Sequence, residues 1–261
     1  MPATPFGVPS ASPLSWDQST AAKPELSIAT PRIIYDTFPQ SRTADDAFIR
    51  DGMSPVELRK LRELVLAEKP AHVLEVGMAN GTSSVVIADA LRQSGGGSFT
   101  SIDPKQTASS PEGYGSAGLR AVTPILPNHR LIEDFDYVAL PRLAEHGEKF
   151  NFILVDGYHS FDLTLLDLFY ADSLLKVGGL LVCHDSSSPP VFKALRWLEC
   201  NKPYSRLSPP LYTGGQPITR KLYSRIFQRK ARRERQTQWQ MLVAYRKQAE
   251  HHMPEHLLSD F

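Results

Sequence analysis

A turn around residue 80 constrains this chain more than any other feature of its sequence. Residues 72–76 form a short apolar run that leads directly into the pattern Glu75-x-Gly77-x-x-x-Gly81, and a helical pattern begins right after the second glycine. Glycine is favoured where the backbone takes a positive φ or where another group comes very close to it. The pattern is therefore typical of a strand–turn–helix junction at which a ligand approaches the backbone.

The rest of the chain alternates between helical and extended apolar patterns. Ser54 and Glu57 frame a capping box, with Pro55 at the first helical position. Thr82 or Ser83 can cap the helix that follows the glycine turn. Helices are predicted to begin near residues 55, 82, 119, 161 and 189, from the recurrence of apolar residues at helical spacing.

Seven strands are predicted between these helices. The run over residues 150–155 is apolar apart from Asn151, as expected of a strand buried on both faces. Gly178 and Gly179 are expected to end one helix and to open the strand at residue 180. The alternation predicts an α/β fold, a Rossmann-like seven-stranded, mostly parallel sheet with helices on both faces. The predicted strands cover residues 72–76, 99–102, 130–133, 150–155, 180–183, 204–207 and 241–245.

The composition is that of an ordinary globular protein. Of the 261 residues, 41% are hydrophobic and 22% charged, and the net charge of +1 gives no general attraction to nucleic acid or membrane. No apolar run approaches the roughly 18 residues of a membrane span, and residues 1–31 lack both arginine and the apolar core of a signal peptide. Cys183 lies in an apolar run, which favours a buried thiol in a reducing compartment. We therefore expect a cytoplasmic protein.

Acidic residues recur at or just beyond the predicted strand ends, where parallel sheets bind ligands. Examples are Asp103, Asp134, Asp156 and Asp185. At the strand–turn–helix junction the chain has Glu75-x-Gly77-x-x-x-Gly81 instead of the Gly-x-Gly-x-x-Gly pattern that places a pyrophosphate against a helix N-terminus. Glu75 before the first glycine suits a cationic or amino-bearing ligand instead. S-adenosylmethionine meets this description, since it carries an ammonium, a sulfonium and a ribose diol but no phosphate.

Three motifs together resemble the class I S-adenosylmethionine-dependent methyltransferases. Residues 75–81 match the first motif of the class, and Ile102-Asp103-Pro104 matches the second. Residues 152–162 are similar to the "IDGxHxFD" segment of the small-molecule O-methyltransferase branch known as methyltransferase family 24. The likeness continues through residues 166–172 and 176–179 and covers residues 45–200 well.

This resemblance implies roles for individual residues. Asp103 would bind the ribose hydroxyls, and Asp134 or Asp136 would lie near the adenine. His159, with Asp156, would be catalytic, because a histidine over the pocket suits a general base. The residues expected to bind the cofactor are Glu75, Gly77, Met78, Ala79, Gly81, Ser83, Asp103, Asp134 and Asp156.

The resemblance also raises a metal site at Asp156 and Asp185. Related metal-dependent O-methyltransferases hold Mg²⁺ here with carboxylate and amide oxygens, which hard cations prefer. This chain has His184 where related sequences often carry aspartate, and a nitrogen ligand weakens the argument for Mg²⁺.

The predicted organisation is a disordered tail over residues 1–31 followed by a single methyltransferase domain over residues 32–261. The domain divides into an N-terminal helical lid (32–70), a cofactor-binding core (71–200) and C-terminal strands with a basic excursion (201–261). The methyl acceptor is expected to be a small molecule. The segment before residue 54, the 104–118 loop and the C-terminal excursion are expected to determine which acceptor binds. A homo-oligomer is compatible with the sequence.

Two other functions are compatible with the sequence. The chain could be an NAD-type oxidoreductase, although the second phosphate-binding glycine is missing. It could also be a non-catalytic binder of an anionic partner through the basic stretch over residues 220–235. Nucleic acid is disfavoured as that partner because no aromatic stacking platform accompanies the basic residues, and no membrane partner is expected.

Overall fold

A seven-stranded sheet with the strand order β3-β2-β1-β4-β5-β7-β6 organises the protein. The computed structural model describes residues 53, 55–107, 113–207 and 241–250. The strands are β1 (His72–Val76), β2 (Ser98–Ile102), β3 (Arg130–Ile132), β4 (Phe150–Val155), β5 (Leu175–Cys183), β6 (Tyr204–Arg206) and β7 (Val243–Lys247). The helices are α1 (Pro55–Glu68), α2 (Thr82–Gln93), α3 (Ala117–Val122), α4 (Asp136–Glu145), α5 (Phe161–Leu174) and α6 (Pro189–Asn201).

The central strand β4 shows why helices cover both faces of the sheet. Side chains of a strand alternate between its two faces. Phe152 and Leu154 accordingly pack with residues of α1, α2 and α3, whereas Ile153 and Val155 pack with residues of α4, α5 and α6. All four side chains are buried. The prediction of a doubly covered sheet is confirmed.

The sheet is parallel except at one strand. The pairs β1–β2, β1–β4, β2–β3 and β4–β5 are parallel, but β7 runs antiparallel to both β5 and β6. The neighbours of β1 are therefore β2 and β4, and the chain order along the sheet reverses there. Ligands of open α/β sheets bind in the crevice beside such a reversal, outside the carboxyl ends of the strands.

Helix α4 is absent from the predicted elements. Its buried residues Asp136, Ala139, Leu140 and Leu143 follow the helical spacing of one apolar face. Pro141 lies inside the helix and removes one backbone donor, which weakens the helical signal of this short segment.

Two local predictions are wrong. Gly81, with φ of +81°, is the N-cap of α2, and Thr82 and Ser83 lie within the helix. Strand β5 begins at Leu175, directly after α5, and not at residue 180. Its pairing with β4 shifts register between Leu175 and Leu180, so the Gly178–Gly179 pair lies within an irregular part of the strand and does not precede it.

Several predicted segments lie outside the described residues. These are the tail over residues 1–31, residues 32–52 and 54 of the predicted lid, and the basic stretch over residues 220–235. Within the described part of the chain, no helix combines the length and the apolar character needed to cross a membrane.

The burial of β4 leads to a stability prediction. Leu154→Ala removes most of a fully buried side chain and should lower the free energy of unfolding by roughly 2–5 kcal/mol, because the cavity left behind cannot fully close. Urea denaturation measures the change. Val177→Ala is the matched control, since Val177 is 50% exposed and should change stability by no more than about 0.5 kcal/mol. Equal effects of the two substitutions would contradict the assigned core.

Candidate active site

The carboxyl ends of four neighbouring strands lie in one row. In each case the backbone N–H just beyond a strand donates to the carbonyl of the last residue of a neighbouring strand, at 2.8–3.1 Å. These hydrogen bonds extend the sheet by one residue and fix the positions of the side chains that follow. The donors are Gly77, Asp103, Asp156 and His184.

A pocket opens above this row, and three carboxylates are on its wall. Asp103 follows β2, Asp156 follows β4, and Asp136 is the first residue of α4. Lys105 is a basic residue of the same pocket. The remaining lining residues are Val76, Gly77, Ala79, Ile102, Pro104, Tyr114, Gly157 and Tyr158.

Gly77 allows two strand ends to approach each other closely. Its φ is +88°, and a Cβ placed there would lie only 2.1 Å from the backbone oxygen of Asp156. Gly81 has a similar role, because its Cβ would lie 2.5 Å from the Cα of Gly118. Both glycines are thus required by contacts within the chain, and Gly77 lines the pocket as well.

The loop after Gly77 is held by side chains from the next strand end. Asp103 accepts hydrogen bonds from the backbone N–H groups of Met78 (3.1 Å) and Ala79 (2.7 Å). The buried side chain of Gln106 donates to the carbonyl oxygen of Ala79 at 2.5 Å. Ala79 has a positive φ of 46°, which a non-glycine residue adopts only at a cost. Gln106 therefore has a structural role that the sequence motif alone did not reveal.

Glu75 is enclosed and does not line the pocket. Its carboxylate accepts hydrogen bonds from the hydroxyls of Ser83, Ser84 and Ser101 at 2.6–2.7 Å, and its side chain is fully buried. Burial raises the pKa of Glu75 to about 7, although the three serine hydroxyls oppose this shift. The hydrogen bonds of Glu75 with Ser83, Ser84 and Ser101 thus connect β1 with α2 and β2.

Of the two aspartates expected near the adenine, Asp134 and Asp136, the structure places Asp136 at the pocket. Asp136 is buried and lines the pocket. Asp134 is part of a surface ion pair with Arg142 at 3.0 Å and also accepts a hydrogen bond from the N–H of Phe135.

Beside the pocket, two histidines and two aspartates form a cluster. His159 Nε2 lies 3.0 Å from Asp185 Oδ2 and 3.6 Å from Asp156 Oδ1. His184 Nδ1 lies 3.0 Å from Asp156 Oδ1 and 3.5 Å from Asp185 Oδ2. On its other side, His184 Nε2 lies 3.6 Å from Glu57 Oε2 of helix α1. Asp185 has a positive φ of 52°, a strained conformation of the kind found at functional sites.

The charges in this cluster stabilise one another. Hydrogen bonds to Asp156 and then Asp185 raise the pKa of His159 to about 9. Burial favours neutral His184, but the charge of Asp156 and hydrogen bonds to the carboxylates outweigh burial and raise its pKa well above the ordinary value. Burial also opposes ionisation of Asp185, yet hydrogen bonds from both histidines lower its pKa. The two aspartates therefore favour the charged form of both histidines.

The cluster contains a candidate cation site. One ligand atom each from Asp156, His184 and Asp185 lies within 4.8 Å of the others. The sequence motif pointed to both aspartates, and the structure adds His184. Glu57 was seen in the sequence only as part of a capping box, so no local signal indicated its approach to His184.

The chain is similar to solved O-methyltransferase structures. The O-methyltransferase of Bacillus cereus in complex with SAH has a TM-score of 0.55 and 15% identity, with 84% of this chain and 90% of that chain covered. TomG of Streptomyces achromogenes, in complex with SAM, has a TM-score of 0.57 and 14% identity, with 85% and 90% covered. SAH-bound PaMTH1 of Podospora anserina has a TM-score of 0.55 and 16% identity, with 85% and 88% covered. At these identities the likeness establishes the fold.

The fold and the sequence motifs define a class I methyltransferase, the class that takes its methyl group from S-adenosylmethionine. Residues 74–186 match the family model described as a methyltransferase domain. No curated protein matches the chain. The family supports methyl transfer over the nicotinamide-dependent alternative.

The close approach at Gly77 can be tested by comparing Gly77 with a glycine that has no close neighbours. Gly77→Ala should lower the free energy of unfolding by roughly 2–5 kcal/mol, because the methyl group overlaps the Asp156 backbone as well as straining φ. Gly147→Ala is the matched control, since Gly147 also has a positive φ (70°) but nothing within 4 Å of its Cβ position. It should cost only about 1–2 kcal/mol. Urea denaturation compares the two, and equal losses would refute the close approach.

The buried Glu75 should make stability depend on pH. Because its pKa is raised from 4.5 to about 7, the contribution of Glu75 is fully present below pH 4.5 and is lost as the pH rises through 7. Stability measured by urea denaturation across this range should therefore fall more steeply with pH in the wild type than in Glu75→Gln, which does not titrate. Glu63→Gln, at an exposed position of α1, should keep the wild-type slope. An unchanged slope in Glu75→Gln would contradict the raised pKa.

Proposed function

We propose that this methyltransferase binds S-adenosylmethionine in the pocket at the strand ends and transfers the methyl group to an oxygen of a small molecule. The observation that carries the proposal is the set of three carboxylates, Asp103, Asp136 and Asp156, around the glycine turn. A pocket with this charge suits an ammonium, a sulfonium and a ribose diol, and it repels the phosphates of a dinucleotide.

Asp103 suits the ribose. An ionised carboxylate offers about four lone-pair sites, and three of them receive the backbone N–H groups of Met78, Ala79 and Lys105. One site is left for a ribose hydroxyl. Because the three backbone donors fix the carboxylate, the group is already oriented before the cofactor arrives.

The other two carboxylates suit the two ends of the cofactor. Asp136, at the start of α4, can accept a hydrogen bond from the adenine amino group. Asp156, beside Gly77, can accept hydrogen bonds from the methionine ammonium. The Glu75 carboxylate already accepts hydrogen bonds from three serine hydroxyls. We therefore assign binding of the charged methionine end to Asp156 and the backbone of the turn, and a structural role to Glu75.

His159 is the proposed general base. Its side chain is 47% exposed and lies 3.6 Å from Asp156, which lines the pocket. Methyl transfer from a sulfonium is an in-line displacement that requires alignment and a place for the acceptor's proton. The free protein favours the protonated imidazole, and the positive charge of a bound sulfonium favours its neutral form. Asp156 and Asp185 hold the ring in place.

The proposal also covers the methyl acceptor, the cellular compartment and the oligomeric state of the enzyme. The structurally similar proteins include O-methyltransferases, which supports an oxygen acceptor on a small molecule. We place the protein in the cytoplasm, since Cys183 is a buried free thiol of the kind that a reducing compartment preserves. A homo-oligomer stays a prediction.

The cluster beside the pocket fits a divalent cation with a mixed ligand set. Asp156 and Asp185 supply hard oxygens, and His184 supplies a nitrogen. Glu57 Oε2 lies 3.6 Å from the outer nitrogen of His184, on the side where a carboxylate commonly orients a metal-binding histidine. Imidazole suits transition-metal ions such as Zn²⁺ better than Mg²⁺, which prefers oxygen ligands. When bound, such an ion would lower the pKa of an acceptor hydroxyl and orient it.

Cofactor binding can be tested by calorimetry with S-adenosylhomocysteine. The wild type should bind, and Asp103→Asn should weaken binding by about tenfold or more, because it loses a charge-assisted hydrogen bond to the ribose. Asp134→Asn is the matched control, since Asp134 is paired with Arg142 at the surface and is not part of the pocket. Its affinity should equal that of the wild type. No binding to the wild type at near-millimolar ligand would refute the proposal.

The base assignment predicts a selective loss of rate. Once metabolite screening with labelled cofactor has found an acceptor, His159→Gln should lower kcat by roughly 10²–10⁴. Affinity for S-adenosylhomocysteine should stay within about threefold, since the hydrogen bond to Asp185 is not part of the cofactor pocket. An unchanged kcat would remove His159 as the base.

The cation site predicts a change of metal preference. In titrations of the wild type, Mn²⁺ or Zn²⁺ should bind more tightly than Mg²⁺, and His184→Asp should shift the preference toward Mg²⁺ because the third ligand becomes an oxygen. Asp134→Asn again serves as the control. Failure of all three ions to bind would refute the site, and transfer that is insensitive to chelators would show that the reaction does not use it.

A further inference from the structure

Asp167 is a buried carboxyl group that the proposed reaction does not use. It lies in helix α5, its side chain is fully buried, and neither of its oxygens accepts a hydrogen bond from the residues that the structure describes. A carboxylate without donors is expensive to bury in its charged form. Such a group in a protein interior either meets a cation or keeps its proton.

The group that faces Asp167 is another carboxyl, that of Asp136. A Cβ placed at Gly157 would lie 3.4 Å from Asp167 Oδ2 and 3.7 Å from Asp136 Oδ2, so both oxygens lie on the same side of this glycine. Asp136 and Gly157 line the pocket, whereas Asp167 is not one of the lining residues. Asp167 thus supports the pocket wall from the protein interior.

Two neighbouring carboxyl groups in a protein interior cannot both ionise readily. Burial and then the charge of Asp136 raise the pKa of Asp167 well above its ordinary value. Burial also raises the pKa of Asp136, but the N–H of Tyr137 and a hydrogen bond from Asp167 oppose the shift. The proton therefore resides on Asp167, the less exposed and less solvated partner.

We propose that Asp167 is a positioning residue, which uses a protonated carboxyl group to hold the Asp136 carboxylate against the cofactor pocket. In this arrangement the O–H of Asp167 would donate to the Asp136 carboxylate, while the N–H of Tyr137 donates to Oδ1 of Asp136 at 2.8 Å. With both oxygens held, the remaining lone pairs of Asp136 are directed at an N–H donor of the ligand, of the kind found on an aminopurine. This inference rests on the proposed function for its ligand, but the protonation of Asp167 does not.

The ionisable groups around the pair come from several elements. Asp136 belongs to α4, and Cys183, whose thiol pKa is raised chiefly by burial, approaches Asp167 from β5. Asp103, Lys105 and Asp156 are on the same pocket, with Tyr114 and Tyr158. Among these charged groups the described structure gives Asp167 no cationic partner, so retention of its proton is the available way to neutralise it.

Infrared difference spectroscopy tests the protonation directly. The wild type should show the carbonyl stretch of a protonated carboxylic acid at about pH 8.5, where Glu75, with a pKa of about 7, is ionised. Asp167→Asn should abolish this band. Asp162→Asn is the matched control, because Asp162 is an exposed aspartate of the same helix, and it should retain the band. Absence of the band from the wild type, or its persistence in Asp167→Asn, would overturn the inference.

Binding of S-adenosylhomocysteine tests the positioning role. Asp167→Asn keeps a neutral donor of similar shape and should bind within about threefold of the wild type, whereas Asp167→Leu loses the donor and should bind about tenfold more weakly or worse. Equal affinity of the wild type and Asp167→Leu would overturn the role. A wild type that binds no S-adenosylhomocysteine would refute the proposed function, and the infrared band would then decide the protonation by itself.

Discussion

The close approach of Gly77 to the backbone of Asp156 is the contact on which the pocket depends. It is possible only because Gly77 has no side chain and a positive φ. The contact aligns the ends of β1 and β4, the two strands at the centre of the sheet. Asp156 and Gly157 then follow at the pocket wall, and the Asp136–Asp167 pair lies beside Gly157.

The acidic groups around the pocket are stabilised in three ways. Asp103 accepts three backbone N–H groups, Asp156 and Asp185 face histidines, and protonated Asp167 is the proposed partner of Asp136. Uncompensated carboxylates at this density would repel one another and destabilise the fold. Because each carboxylate is already fixed, the cost of orienting it need not be met when a cationic cofactor binds.

Much of the fold and part of the site could be predicted from the sequence. Strands β1 and β4 have the predicted bounds because the last four residues of each strand are buried, whichever face of the sheet they are on. The roles of Gln106 and Glu57 could not be predicted, since each depends on contacts with residues far away in the chain. The three serines around Glu75 come from two different elements, so the motif could indicate an important carboxylate but not which way it faces.

The most direct test of the account is a crystal structure of the protein soaked with S-adenosylhomocysteine. We expect the ribose hydroxyls within hydrogen-bond distance of Asp103, the adenine amino group at Asp136, and the methionine end beside Gly77 and Asp156. The sulfur atom should lie on the side of the pocket that faces His159. A ligand bound elsewhere, or one whose ribose does not contact Asp103, would contradict the account.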